Sequence, residues 1–168
     1  MTSVADEPEL RAFTVQGAVQ AEIMVLALSQ GQLVLTGPCG AAPWYVEVRQ
    51  DADPMAVVAA ISRLNMGEPA VVHSTSWRHA RGGVVLTFVA VYDAEAVIGL
   101  ATVPIERHEL ARGEATTAPR QITAGPVIEH GLRHLAWLAR DDAAVTAALP
   151  PGWLGALDGY VPEPFRHL

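Results

Sequence analysis

An almost continuous apolar run, VVLTFVAVYD, occupies residues 84–93 and follows a glycine pair. The run is rich in β-branched residues, and its continuity predicts a strand that is buried on both faces. Such a strand requires a layer of helices on each side of its sheet. The polar segment before it, AVVHSTSW, predicts the other arm of a hairpin, with RHARGG as the turn.

A helix is marked at both ends in DADPMAVVAAISRLNMGEP. Asp53 predicts the N-cap, Pro54 the first helical position and Gly67 the C-terminal stop. Val57, Val58, Ile61 and Leu64 form one apolar stripe, which predicts packing against a sheet.

The remaining elements complete a layered pattern. Three further strands are predicted in EIMVLALS, LVLTG and WYVEVRQ, and a second helix in VIEHGLRHLAWLARDD. The order of elements predicts an α/β (α+β) fold, an α/β/α sandwich with a mixed β-sheet. A length of 168 residues with 51% hydrophobic residues predicts one domain over 1–168, ending in an irregular surface strap at 150–168.

Charge and composition exclude several classes of partner. The net charge is −7, and the eleven cationic residues are all arginines scattered along the chain, so no nucleic-acid partner is expected. No apolar run reaches the roughly 18 to 20 residues that span a bilayer. The N-terminus lacks the pattern of a signal peptide, and the single cysteine, Cys39, forms no internal disulfide. These features predict a cytoplasmic protein without a membrane partner.

The order of motifs from Glu22 to Tyr92 resembles the Nudix hydrolase domain. EIMVLALS corresponds to its first strand, LVLTG to its "vLLv" strand, PWYVEV to its "W-x-x-P-G-G" turn, and DPMAVVAAISRLNMGEP to the helix of the Nudix box. The resemblance implies a Nudix-like core at about 20–140.

The carboxylates of the Nudix box, G-x5-E-x7-R-E-U-x-E-E-x-G-U, have no counterpart in this chain. When the box is aligned on Gly67, its paired glutamates fall on Leu64 and Asn65, and no acidic residue occurs between Pro54 and Gly67. Mg²⁺ requires hard, charged oxygen ligands. We therefore expect no Mg²⁺ at this helix and no active Nudix hydrolase; the cofactor is unknown.

The polar segment HSTSWRH and the predicted strand WYVEVRQ together predict a ligand-binding site. Strict alternation would place His73, Thr75 and Trp77 on one strand face and Ser74, Ser76 and Arg78 on the other. An aromatic ring that stacks on a flat ligand and an arginine that meets an anion are typical of binding pockets. The predicted ligand-binding residues are Trp44, Glu47, His73, Trp77 and Arg78; the alternative is an exposed polar strand with Trp77 in the core.

A second candidate is the segment EHGLRH, in which His130 and His134 are four residues apart on one helix face and could bind one metal. Glu129, Glu106 or Glu109 would supply an acid, and His73, His79 or His108 a third ligand. On this hypothesis the protein is an enzyme, a hydrolase with a rebuilt metal site. Packed or surface histidines are the simpler interpretation.

The preferred hypothesis is a non-catalytic Nudix-like module that binds a small ligand, for example one derived from a nucleotide, or a protein partner. A homodimer is a further prediction, because four tryptophans and the aromatic segment GYVPEPF could bury an interface.

Overall fold

A computed structural model describes residues 18–80, 82–110 and 122–161, and these form one mixed sheet of six strands with helices on both faces. The predicted mixed α/β fold is confirmed. The strands are β1 Val19–Ser29, β2 Gln32–Thr36, β3 Trp44–Val48, β4 Val71–Ala80, β5 Gly83–Tyr92 and β6 Val103–Pro104. The helices are α1 Pro54–Met66, α2 Ala124–Asp141, α3 Ala143–Ala148 and α4 Trp153–Leu157, with a short 3₁₀ helix at Ala94–Val97.

Strand β1 is the centre of the sheet. It pairs in parallel with β5 on one side, and on the other side it pairs antiparallel with β3 through its first half and with β2 through its second half. Strand β4 completes a hairpin with β5 and forms one edge, while the two-residue β6 lies beyond β2. The apolar run of β5 is thus an inner strand, as its composition predicted.

Alternate residues of β1 divide the core into two parts. Met24, Leu26 and Leu28 face α2, α3 and α4, and this side is called the α2 face below. Ala21, Ile23 and Val25 face α1, and this side is the α1 face. Because the side chains of a strand alternate, the partners of each β1 residue on neighbouring strands share its face.

Two glycines are required by local geometry. The β1–β2 hairpin turns at Gln30 and Gly31, which both have positive φ, as a two-residue turn of the hairpin type needs. At Gly131 of α2, a Cβ atom would lie 2.9 Å from Cγ1 of Val89, so glycine lets the helix approach β5 closely.

Helix α1 begins and ends as predicted. Asp53 accepts a hydrogen bond from the backbone N–H of Met55 at 2.9 Å, and Gly67 has a φ of 84°. The predicted stripe is wrong at Leu64, which is 84% exposed, and right at Val58, which is buried; Ser62, four residues further on, is buried as well.

The described part of the segment 150–168 packs into the core. Trp153 and Leu157 lie on α4 and are buried, as is Tyr160, so this part is not the irregular surface strap that was expected. Residues 162–168 lie outside the described residues. Among the described helices, none combines the length and apolar character needed to cross a membrane.

Candidate functional site

A buried carboxylate, Glu22, lies in the middle of the α2 face and is hydrogen-bonded to three other strands. Arg78 of β4 donates from Nη1 and Nη2 to its two oxygens at 2.6 and 2.7 Å. The Tyr45 hydroxyl of β3 donates to Oε1 at 2.5 Å, and the Thr87 hydroxyl of β5 donates to Oε2 at 3.1 Å. One side chain therefore ties together four strands at this level of the sheet.

These contacts keep Glu22 ionised although it is only 2% exposed. Burial alone would raise the pKa of Glu22, but the hydrogen bonds from Arg78 and Tyr45 and the positive charge of Arg78 outweigh it and lower the pKa. The same contact raises the pKa of Arg78. The two groups thus form a buried, mutually neutralised ion pair.

Glu22 belongs to a larger polar area that begins where the apolar contacts of α2 end, at Met24 and Val89. One step along the strands, Ser76, Thr87, Glu22 and Tyr45 lie side by side on the same face. The next step has Arg78, Val85, Gln20 and Glu47 side by side. Seven of these eight positions are polar, and they are called the polar patch below: Gln20, Glu22, Tyr45, Glu47, Ser76, Arg78 and Thr87.

One acceptor in the polar patch has no hydrogen-bond partner among the described residues. Oε1 of Gln20 is buried and makes no hydrogen bond within the described residues. Glu47 lies directly across from it on β3 and is exposed. A buried acceptor without a partner costs roughly 1–3 kcal/mol, a cost that a hydrogen-bond donor from water or from a bound molecule would offset.

A β-bulge between Ser74 and Ser76 changes which side chains of β4 share a face. His73 pairs with Val89 and Arg78 with Val85, and since these β5 residues are four apart, both side chains lie on the α2 face. The strict alternation expected from the sequence, with His73 and Trp77 on one face, is wrong because the bulge inserts one residue.

The predicted ligand-binding residues are therefore divided between two faces. Glu47, His73 and Arg78 lie on the α2 face, whereas Trp44 pairs with Ile23 and Trp77 with Leu86 on the α1 face. Trp44 packs against the core, and Trp77 is 65% exposed. The sheet separates the two tryptophans from the polar patch, and their role in ligand binding stays a prediction.

Three histidines meet where α2 crosses β4. The ring of His73 lies 4.9 Å from that of His134, and His134 stacks between His130 and Trp137 at 6.3 and 5.6 Å. Nε2 of His73 and Nδ1 of His134 are buried without hydrogen-bond partners in the described part of the chain. Burial lowers the pKa of both, and for His134 the nearby His73 and His130 lower it further.

The sequence predicted His130 and His134 as metal ligands. Nε2 of His130 lies 3.3 Å from the carbonyl oxygen of Thr75. Across residues 18–80, 82–110 and 122–161, no group of three or more histidine, cysteine or acidic side chains is arranged to hold a metal ion. The pair of histidines stays a prediction, without a third ligand in that part of the chain.

The acid closest to these histidines in sequence is Glu129, and it forms ion pairs with two arginines. It is buried, and it accepts hydrogen bonds from Arg107 at 3.0 and 3.1 Å, from Arg133 at 2.8 Å and from the backbone N–H of His108 at 3.2 Å. Burial would raise the pKa of Glu129, but the two arginines and the His108 N–H lower it. This carboxylate joins α2 to the segment after β6.

Helix α1 offers no carboxylate along its length, as the sequence indicated. Leu64 points to solvent, and Asn65 donates to the carbonyl oxygen of Ile61 at 2.8 Å. The flanking acids are engaged: Asp53 caps the helix, and Glu68 forms an ion pair with Arg63.

Comparison with known proteins gives little further information. No family model matches the sequence, and no curated protein matches it. Among solved structures, the crystal structure of Shewanella oneidensis NrtR is similar at 12% identity and a TM-score of 0.49, over 86% of this chain and 79% of that chain. A similarity at this level assigns neither a family nor a function.

Proposed function

We propose that this protein is a non-catalytic, Nudix-like module that binds a small ligand at the polar patch, through hydrogen-bond donors of the ligand. The observation that carries the proposal is Oε1 of Gln20, a buried acceptor without a partner among the described residues. The nucleoside part of a nucleotide-derived ligand is the proposed class, because its hydroxyl and amino groups are donors.

The charges of the polar patch support this class of ligand. The Glu22–Arg78 pair is neutral as a unit, since both terminal nitrogens of Arg78 already contact the carboxylate. Glu47 adds one exposed negative charge beside Gln20. The patch thus presents acceptors and no excess positive charge, and it suits hydroxyl or amino donors better than a phosphate.

We propose that the protein is not catalytic because α1 lacks the carboxylates of the Nudix box. Hydrolysis of a diphosphate in the Nudix manner depends on metal ions that neutralise the phosphates and activate water. Leu64 and Asn65 stand where the box has its paired glutamates, and neither is a charged oxygen ligand for Mg²⁺. This composition of α1 supports binding without turnover over hydrolysis in the Nudix manner.

An enzyme with a rebuilt metal site is supported less well. It would use His130 and His134 with an acid such as Glu129, Glu106 or Glu109. The contacts of Glu129 with Arg107 and Arg133 oppose a role as ligand or base, because two cations already compensate its charge.

The test is isothermal titration calorimetry with adenosine, ADP-ribose and ribose 5-phosphate in buffer that contains EDTA. We expect adenosine and ADP-ribose to bind, and the Gln20→Leu variant to bind roughly two- to tenfold more weakly, because one buried hydrogen bond contributes about 0.5–1.5 kcal/mol. Gln32→Leu, at an exposed position of the β1–β2 hairpin, is the matched control and should bind as the wild type does. The proposal fails if no nucleoside compound binds, or if both variants lose binding equally.

A further inference from the structure

Strand β4 is a long strand at an open edge of the sheet. It contains ten residues, and within the described part of the chain no other strand pairs with its outer side. The opposite side of the sheet has shorter edges, because β3 is five residues long and β6 is only two residues long and ends in Pro104. Proteins commonly protect long edges with lysine, proline or a covering element. β4 has no proline, and the chain has no lysine.

A β-bulge interrupts β4, and it limits the length of strand that is available to a second strand. The bulge between Ser74 and Ser76 interrupts the regular pairing of β4. The remaining residues, Ser76–Ala80, form a regular stretch for which the described residues provide a strand partner on one side only, namely β5. This stretch is called the β4 edge below.

The β4 edge carries a large exposed aromatic side chain. Trp77 is 65% exposed and makes an edge contact with the ring of His79, at 5.7 Å between centroids. By contrast, Trp153 is fully buried and Trp44 packs into the core. Exposed tryptophan is enriched at protein interfaces, where it buries a large area at little cost in side-chain entropy.

The charge of the β4 edge favours a second copy of the chain over an acidic peptide. No acidic residue occurs between Val71 and Ala80, and the one arginine, Arg78, is already neutralised by Glu22. A second β4 edge can therefore approach without repulsion between uncompensated like charges. An acidic partner would find no uncompensated arginine on this strand.

We propose that two copies of this chain associate through their β4 edges, as an antiparallel strand pair related by a two-fold axis. A two-fold axis makes the pairing antiparallel and brings the same surface of both copies together. With the axis near Trp77, the two tryptophans lie opposite each other on the α1 face, as a cross-strand aromatic pair. The exposed tryptophan of this interface lies on the α1 face, whereas the polar patch lies on the α2 face; Ser76 and Arg78 belong to both regions.

The interface is small, so the expected dimer is a weak one. A strand pair of five residues with two tryptophans buries less than the roughly 1,200–2,000 Å² of a standard interface. Dissociation constants in the micromolar range are therefore expected, and the measurement must cover concentrations from about 1 to about 200 µM.

The test is sedimentation velocity of the full chain over this range. The wild type should shift with concentration from 17.8 kDa toward twice that mass. Trp77→Lys should stay monomeric throughout, because a lysine on an edge strand opposes pairing. Leu154→Lys, at a position on α4 that is 49% exposed and lies outside the β4 edge, should associate as the wild type does.

His79→Lys, an exposed position on the same edge, provides a second variant should Trp77→Lys fold poorly. It should weaken association at least tenfold. A wild type that is monomeric at the highest concentration would overturn the proposal. A wild-type dimer that is unchanged in His79→Lys and in folded Trp77→Lys would overturn it as well.

Discussion

At the scale of single residues, Glu22 is the most informative side chain of this protein. A carboxylate inside a sheet is tolerated only when its charge and its lone pairs are compensated. Arg78, Tyr45 and Thr87 supply that compensation from three neighbouring strands. The cluster therefore depends on the correct register of four strands.

Removal of Arg78 tests this dependence. The Arg78→Gln variant leaves the Glu22 carboxylate buried without its cation, and we expect the free energy of unfolding to fall by about 3–5 kcal/mol. Urea unfolding followed by circular dichroism measures the loss. Arg49→Gln is the control: Arg49 pairs with Asp51 at 3.0 Å, but both side chains are largely exposed, and the variant should unfold as the wild type does.

A double variant separates the ion pair from the packing of the arginine stem. Glu22→Gln combined with Arg78→Gln removes both charges, so it should recover much of the stability that Arg78→Gln loses. A double variant that is less stable than Arg78→Gln alone would contradict the compensation argument.

Part of this cluster could have been predicted from sequence. Glu22 opens the apolar segment EIMVLALS, and an acid at the border of a buried strand signals a partner elsewhere in the chain. The identity of that partner could not be predicted, because Arg78 is 56 residues away and its face depends on the bulge. Gln20 could not be predicted either, because nothing in its local sequence indicates a buried acceptor without a hydrogen-bond partner.

At the scale of elements, the contact of α2 with β4 introduces sensitivity to pH. Burial lowers the pKa of His73 and of His134 below the ordinary value of 6.5. The unfolded chain therefore binds more protons than the folded one just below pH 6.5. It follows that the free energy of unfolding should be fully retained above about pH 7 and should fall as the pH drops through about 6.5 and below.

The His134→Gln variant tests this linkage, because it removes one of the two buried rings, whose pKa is lowered by burial and by His73 and His130. Urea unfolding between about pH 7.5 and about pH 5 should show a shallower loss of stability in this variant than in the wild type. His79→Gln, at an exposed position of β4, the strand that carries His73, should leave the slope of stability against pH unchanged. Equal slopes in all three proteins would disprove the role of the buried histidines.

The elements themselves followed from sequence where local chemistry defines them. Asp53, Pro54 and Gly67 mark the ends of α1, and the structure uses each of them. The predictions that were wrong concern residues whose burial or face depends on contacts with a neighbouring element or on a bulge. Leu64 is exposed because the sheet contacts the side of α1 that carries Val58 and Ser62. Trp77 lies on the opposite face from His73, and not on the same face, because β4 contains a bulge between them.

At the scale of the whole molecule, the layered mixed sheet was predictable because the apolar run of β5 requires cover on both faces. The parallel pairing of β1 with β5 was not, since 65 residues separate the paired positions and no local pattern encodes their register. The polar patch is a product of that register. It joins residues of four strands that the sequence keeps apart.

The central claim is that the molecule binds a ligand without metal and without turnover. One measurement tests it most directly: ADP-ribose is titrated into the protein in EDTA and again with Mg²⁺, and the nucleotide is then recovered and analysed by chromatography. We expect the same affinity in both buffers and intact ADP-ribose after prolonged incubation. Binding that requires Mg²⁺, or metal-dependent release of AMP, would contradict it.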